Sequence, residues 1–332
     1  MNALRPLIII FLFLFGTGGA EFPAMEKLFS KIAIVGAGAI GCYYGARLAR
    51  AGGDVRFLIR SDLARVRERG LRVKTPDEEI VLPGVHAAGT PEEIGPCDLV
   101  LVALKTTANA ALGRLLGPLV HGRTTIVTLQ NGLGSDEELA RLFGAERVAG
   151  GLCFIGVNRV APGEIVCLTP GSVSFGEFQR PAGGRVRALA DMFSRAGVRT
   201  IVSDNLAELR WKKLVWNVPF NGLAIAAGGV TTDVLTGDEE LLAAARALML
   251  EIVAAARAVT GCEIPPQFVE KQIEVTKAMG PYKPSSLIDF LEGREVEVES
   301  IWGEPLRRAR AAGVDAPRLA MLYALVRRLA AR

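Results

Sequence analysis

Lys213, Asn217 and Asn221 recur at intervals of four within residues 208–225. That spacing sets one ammonium and two carboxamides along a single stripe of a helix. Trp211, Leu214, Val215, Trp216 and Val218 flank the stripe, and asparagine is a poor helix former, so the repeat marks candidate chemistry; a solvated polar face is the competing reading. Pro219 is expected to kink this helix. A second constellation follows in Lys283-Pro284-Ser285-Ser286 and Asp289, where proline before serine signals a helix start. The Ser285 hydroxyl can serve a carboxylate ligand or cap the helix, and the sequence does not choose between them. Glu297 and Glu299 alternate with Val296 and Val298, which predicts at least one carboxylate turned inward.

Other chemistries are poorly served. Cys42, Cys97, Cys153, Cys167 and Cys262 are scattered without a C-x-x-C pair, which excludes a disulfide scaffold or zinc ribbon and predicts reduced, mostly buried thiols. His86 and His121 are the only histidines and neither sits in a motif, so no metal site is expected and serine-triad readings lose their base. Lys plus Arg at 39 against Asp plus Glu at 35 leaves a net charge of +4, too small and dispersed to imply nucleic acid. Arg307, Arg308, Arg310, Arg318, Arg327 and Arg328 read as the solvated face of closing helices.

The elements that must position these groups begin with a β-branched apolar run at 31–35, which feeds Gly36-Ala37-Gly38-Ala39-Ile40-Gly41 and then a helix over 42–51. In that context Gly36 permits the tight turn, Gly38 lets backbone approach a pyrophosphate, and Gly41 allows close helix packing, with the helix N-terminus aimed at the phosphates. A strand at 54–59 ends in Arg60, where a 2′-phosphate would bind, which favours NADP over NAD. A solvated loop arginine is the alternative, and Asp62 is the competing acid. Strands at 98–104 and 124–129 lead to Lys105 and Asn131. Both stand at carboxyl ends of strands, so both should lie near the nicotinamide half of the cofactor. Asn131 followed by glycine is also plain turn chemistry.

Residues 151–202 read as short runs with turn signals, consistent with extra strands completing the sheet. Beyond Asp204 the chain is rich in Ala and Leu with helical periodicity, notably over 241–259, with Gly261 as its C-cap. The fold class expected is α/β: an N-terminal Rossmann-type doubly wound sheet over 26–203, then an all-helical domain over 204–332, with the substrate in the cleft between them. A total of 332 residues suits about two such domains. Residues 1–25 have a basic start, an apolar run and a small-residue exit like a secretory signal, yet Met25 directly precedes the first strand. The favoured reading is a mis-started extension and a cytoplasmic protein without membrane association; a periplasmic or secreted one is the alternative.

Taken together, G-A-G-A-I-G at 36–41, L-K-T at 104–106, N-G-L-G at 131–134, W-K-K-L-x-x-N-x-x-x-N at 211–221 and K-P-S-S-L-I-D at 283–289 resemble the ketopantoate reductase family over nearly everything after Met25. The resemblance implies NADPH-dependent reduction of ketopantoate to pantoate, in pantothenate and coenzyme A synthesis. It makes Lys213 the catalytic lysine that protonates the alkoxide and Glu297 the active-site glutamate, also on the cofactor side. It assigns Asn217, Asn221, Ser285 and Lys105 to the substrate. Gly36, Gly38, Ala39, Ile40, Gly41, Arg60, Lys105 and Asn131 go to the cofactor. Glu299, Trp302 and Ser286 depart from the family pattern and are expected near the substrate, so a related reductase of another 2-oxo acid is one alternative. A non-catalytic NADP-binding module is the other. A homodimer is compatible with all of these.

Overall fold

Ile32 and Ile34 leave the first strand on one side and Ala33 and Val35 on the other, and all four are buried, so the sheet must be covered on both faces. The computed structural model describes residues 28–331, and the reading of residues 1–25 therefore lies outside the described residues. Its ten strands are β1 (Lys31–Val35), β2 (Asp54–Leu58), β3 (Leu71–Lys74), β4 (Glu79–Leu82), β5 (His86–Ala88), β6 (Leu99–Val102), β7 (Thr125–Thr128), β8 (Val148–Ala161), β9 (Glu164–Glu177) and β10 (Arg199–Val202). They form one sheet in the order β4-β3-β9-β8-β7-β6-β1-β2-β5, with β10 also paired to β9.

From β5 through β2, β1, β6 and β7 to β8 every pairing is parallel. The chain leaves β1 toward β2 and later returns to β1's other side as β6, which opens a crevice at the carboxyl ends of these strands, the place where such sheets bind ligands. One face packs Ile32 and Ile34 with Tyr44 and Leu48 of helix Ala39–Arg50 and Leu189 and Phe193 of helix Gly184–Arg195. The other packs Ala33 and Val35 with Leu112, Leu116 and Leu139. The doubly wound sheet is thus present, extended into a mixed sheet by β9 antiparallel to β8 and β4 antiparallel to β3. Strands β3, β4 and β5 are too short to announce themselves by alternation, and helix Gly184–Arg195 interrupts the stretch read only as strands.

After β10 the described residues are helical. Helix Leu206–Ala226 starts at Asn205, whose side chain accepts from the Glu208 N–H at 3.0 Å. It runs uninterrupted through Pro219. Helix Glu239–Thr260 ends on Gly261 at φ 71°, a left-handed cap that a glycine takes without strain. Trp211, Leu214, Val218, Met249, Ile252, Trp302 and Leu319 make the core of this half. Among the described residues no helix is long and apolar enough to cross a membrane, and no cluster of three or more His, Cys, Asp or Glu is placed to hold a metal.

Candidate active site

Lys213 lies on helix Leu206–Ala226, and its partly buried ammonium crosses to the sheet. There Nζ donates to Asn131 Oδ1 at 2.8 Å and to the Cys153 carbonyl at 2.9 Å. Asn131 follows the carboxyl end of β7, and Cys153 lies on β8. The Phe154 ring covers the amine at 5.5 Å. Burial lowers the Lys213 pKa to about 8; the Arg210 guanidinium one turn earlier pushes the same way, and Glu297 opposes it.

Glu297 is the carboxylate that turns inward. Its Oε1 accepts the Thr106 N–H at 2.8 Å and its Oε2 accepts Asn131 Nδ2 at 3.3 Å. Because a carboxylate can only accept, Glu297 orients the Asn131 amide so that Oδ1 faces the lysine. Burial raises the pKa of Glu297 against those donors. The next turn, Glu299–Gly303, is a π-helix, the kind of irregularity that collects at functional sites. Ser300 in this turn shares a 2.8 Å hydrogen bond with the Thr106 hydroxyl, and its carbonyl accepts the Leu133 N–H at 2.9 Å. Gly132 makes that approach feasible, since a Cβ there would stand 2.2 Å from the Ser300 oxygen.

The remaining groups divide. Asn217 and Asn221 continue the stripe from Lys213 and both are buried, which excludes the solvated-face reading. Asn221, however, is engaged by the fold: Oδ1 accepts the Ser286 N–H at 2.8 Å and Nδ2 donates to the Asn217 carbonyl at 3.0 Å. Ser285 opens helix Ser285–Leu291 just after Pro284, is exposed, and makes no capping bond. Lys105 reaches the helical half but not the Lys213 cluster's partners; its amine pairs with Asp289 at 2.7 Å and donates to the Glu295 carbonyl at 3.0 Å. Asp289 also takes Arg294 at 3.0 Å.

Glu299 and Trp302 correct an expectation. Trp302 is fully buried in the helical core, where its indole N–H donates to the Val218 carbonyl at 2.9 Å. Glu299 faces outward to Arg307 at 2.8 Å and the Tyr323 hydroxyl at 2.7 Å. Neither side chain is hydrogen-bonded to Lys213, Asn131 or Glu297.

The glycine loop fits a dinucleotide. Gly36 has φ 103° and a Cβ there would lie 2.5 Å from the Leu104 nitrogen, while one on Gly41 would lie 2.1 Å from the Gly36 carbonyl oxygen. A Cβ on Gly38 would meet nothing within 4 Å. The first and third glycines are therefore required by protein packing, and the second faces open space beside Ala39 and Ile40, where the opening turn of helix Ala39–Arg50 presents N–H groups. Arg60 is exposed at the end of the β2 segment. Asp62, its rival for the ribose, is buried and held by Arg159 at 2.6 Å.

Sequence reasoning missed five contributors. The Cys153 carbonyl carries no side-chain signature, and Thr106 acts through its backbone N–H. Phe154 reads as an ordinary strand residue. Arg210 and Asp136, joined by a buried ion pair at 2.8 Å, come from distant segments; the one available signal was an arginine one turn before the lysine in an apolar helix.

The chain matches the family described as "Ketopantoate reductase PanE/ApbA" over residues 32–180 and that described as "Ketopantoate reductase PanE/ApbA C terminal" over residues 205–330. A 2-dehydropantoate 2-reductase of Nostoc sp. is 40% identical over 298 residues, covering 88% of this chain and 93% of its own. Among solved structures, the 2-dehydropantoate 2-reductase of Geobacter metallireducens GS-15 superposes with a TM-score of 0.88 at 45% identity, covering 90% of this chain and 99% of its own. That of Methylococcus capsulatus gives 0.83 at 36% identity, with 90% and 96% covered. With its sheet crevice, its glycine loop and the Lys213–Asn131–Glu297 cluster, the chain belongs to the ketopantoate reductase family.

Proposed function

We propose that this protein reduces 2-dehydropantoate (ketopantoate) to pantoate with NADPH, supplying pantothenate and coenzyme A synthesis in the cytoplasm. Residues 26–203 hold the dinucleotide and residues 204–332 bring the catalytic lysine. The observation that carries the reading is the Lys213 ammonium, delivered from a helix to Asn131 and the Cys153 carbonyl beside buried Glu297. A purely dinucleotide-binding module needs the glycine loop and not this cluster. The rival reading, a reductase of a different 2-oxo acid, rests on Ser286, which follows Ser285 and donates its N–H to Asn221 Oδ1 at 2.8 Å, while the Trp302 indole and the Glu299 carboxylate are engaged by Val218 and Arg307.

When bound, NADPH supplies the hydride that reduces the C2 carbonyl carbon. Negative charge then builds on the carbonyl oxygen, where the Lys213 ammonium stabilises it and donates the proton. Glu297 keeps Asn131 aimed at the amine, and the Phe154 ring lies over it. Asn217 and the exposed Ser285 hydroxyl offer donors to the substrate's hydroxyl and carboxylate groups, while Asn221 holds the start of the Ser285 helix in place.

The test is a spectrophotometric assay of NADPH and NADH oxidation with ketopantoate beside other branched and aromatic 2-oxo acids. Ketopantoate with NADPH should give the highest kcat/KM; a different acid in first place would replace the substrate assignment. In the same assay Arg60→Ala should raise the KM for NADPH roughly ten- to a hundredfold, the worth of a charged hydrogen bond to phosphate, and leave NADH nearly unchanged. Equal effects on both dinucleotides would remove Arg60 from the 2′-phosphate.

The pH profile follows from the amine. Lys213 must start protonated to act as the acid, and its pKa lies near 8. Reduction should therefore hold through neutral pH and decline as pH rises through about 8, while oxidation of pantoate, which needs the neutral amine, should rise over the same interval. A reduction rate that stays flat to about pH 10 would mean that the amine keeps the ordinary lysine range in spite of its burial.

A further inference from the structure

Arg210 lies one helical turn before Lys213, and its guanidinium is almost wholly buried. Nε and one terminal nitrogen grip the two oxygens of Asp136 at 2.8 Å each, and the other terminal nitrogen donates to the Gln130 carbonyl at 2.7 Å. Gln130 begins the loop that carries Asn131, and Asp136 lies in the first turn of helix Ser135–Phe143, which follows that loop. Within the loop Gly132 and Gly134 adopt φ of 77° and 98°, so the backbone between the two grips has little intrinsic preference to hold it. β8 leaves room beside the clasp, where a Cβ on Gly150 would approach Leu206 to 2.6 Å and Arg210 to 3.0 Å.

We infer that Arg210 is a positioning residue for the reduction: one guanidinium ties both ends of the 130–136 segment to the helix bearing Lys213, and so sets Asn131 and the amine at fixed separation. The inference rests on Lys213 being the proton donor. Stability alone gives little reason for such an arrangement, because a buried ion pair is often no better for folding than apolar residues of the same volume. A planar fork with donors pointing in two directions is what the geometry uses, and lysine in its place keeps the charge but not the fork. Asp136 has a second effect: its carboxylate offsets a cation three residues from the amine. The charged and titratable groups around that amine are Arg210 on the same helix, Glu297 from the segment before the π turn, and Cys153 on β8.

The experiment uses the full chain as Arg210→Lys, Asp136→Asn and Gly150→Ala, the last crowding the Leu206 side chain and, beside it, the guanidinium without deleting a charge; Leu206→Val is the control for the Leu206 contact. Ketopantoate turnover with NADPH, NADPH affinity by fluorescence, and a substrate-free 15N NMR titration of the Lys213 amine are measured for each and for the wild type. Arg210→Lys and Asp136→Asn should bind NADPH within about threefold of wild type yet lose kcat by roughly ten- to a hundredfold, the usual cost of an ångström-scale misplacement. Asp136→Asn should also move the amine's midpoint, and with it the alkaline decline of activity, to lower pH. Gly150→Ala should change kcat in the same direction by less, and it carries the test if either pair variant does not fold. Folded variants with wild-type kcat and an unmoved amine midpoint overturn the inference. Absence of ketopantoate turnover in the wild type would instead overturn the functional reading, and the substrate-free titration would still decide whether the clasp governs the amine.

Discussion

Lys213→Ala should lower kcat for ketopantoate reduction by roughly a hundred- to ten-thousandfold, the range general acids supply, with NADPH affinity nearly unchanged. The amine is the cation hydrogen-bonded both to Asn131 at the end of β7 and to β8, so its removal takes away the charge that meets the developing oxyanion and the proton that quenches it. Lys213→Arg separates those two contributions. Arginine keeps a positive charge but holds its proton far above any working pH, and it must fit a longer, planar group between Asn131 Oδ1 and the Cys153 carbonyl. We expect it to recover less than a tenth of the activity and to abolish the decline near pH 8. Turnover within about tenfold of wild type for Lys213→Ala would be incompatible with Lys213 as the acid.

A second large effect is expected from two substitutions separated by a single residue. Gly38→Val should leave thermal stability within about 1 kcal/mol of wild type, because Gly38 has an ordinary φ of −82° and its Cβ would point into open space. The same side chain should weaken NADPH binding a hundredfold or more, roughly 3 kcal/mol, by filling the path to the free N–H groups at the start of helix Ala39–Arg50. Gly36→Ala should do the opposite in order of cause. Its φ of 103° and the 2.5 Å approach to Leu104 make even one methyl cost about 3 kcal/mol or more of stability, and binding fails only because the crevice is no longer built. Thermal melts with fluorescence titration separate the two; unchanged NADPH affinity in folded Gly38→Val would mean the pyrophosphate lies elsewhere.

Much of this was legible from local pattern. The glycine loop announced strand, turn and helix because each glycine answers a constraint set within a few residues. The Lys213 stripe was legible because helical period and side-chain type are both local, and so was the inward turn of at least one of Glu297 and Glu299, which sit among valines; that it is Glu297 came from the family resemblance. Less was legible where short elements or backbone atoms did the work. Strands β3, β4 and β5 span only three or four residues each, too few for periodicity to stand out. The expectation that Trp302 and Glu299 lie near the substrate rests only on their departure from the family pattern; in the fold the indole is taken up by the helical core and the carboxylate by Arg307 and Tyr323. Asn221 matches Lys213 in phase along the helix, and its buried carboxamide is satisfied by the Ser286 N–H and the Asn217 carbonyl, partners that residue spacing does not reveal.

Residue spacing alone settled the longer helices and the first strands, the glycine loop and the helix face that bears the amine, since these depend on interactions within one or two turns of chain. Packing settled which groups meet. Lys213 finds Asn131 across 82 residues and the Cys153 carbonyl across 60, and Arg210 closes on Asp136 across 74. Hydrogen bonds of 2.8–2.9 Å require the helical layer to be seated on the carboxyl edge of the sheet to within a fraction of an ångström, and two large buried cores decide that seating, not any short run of residues.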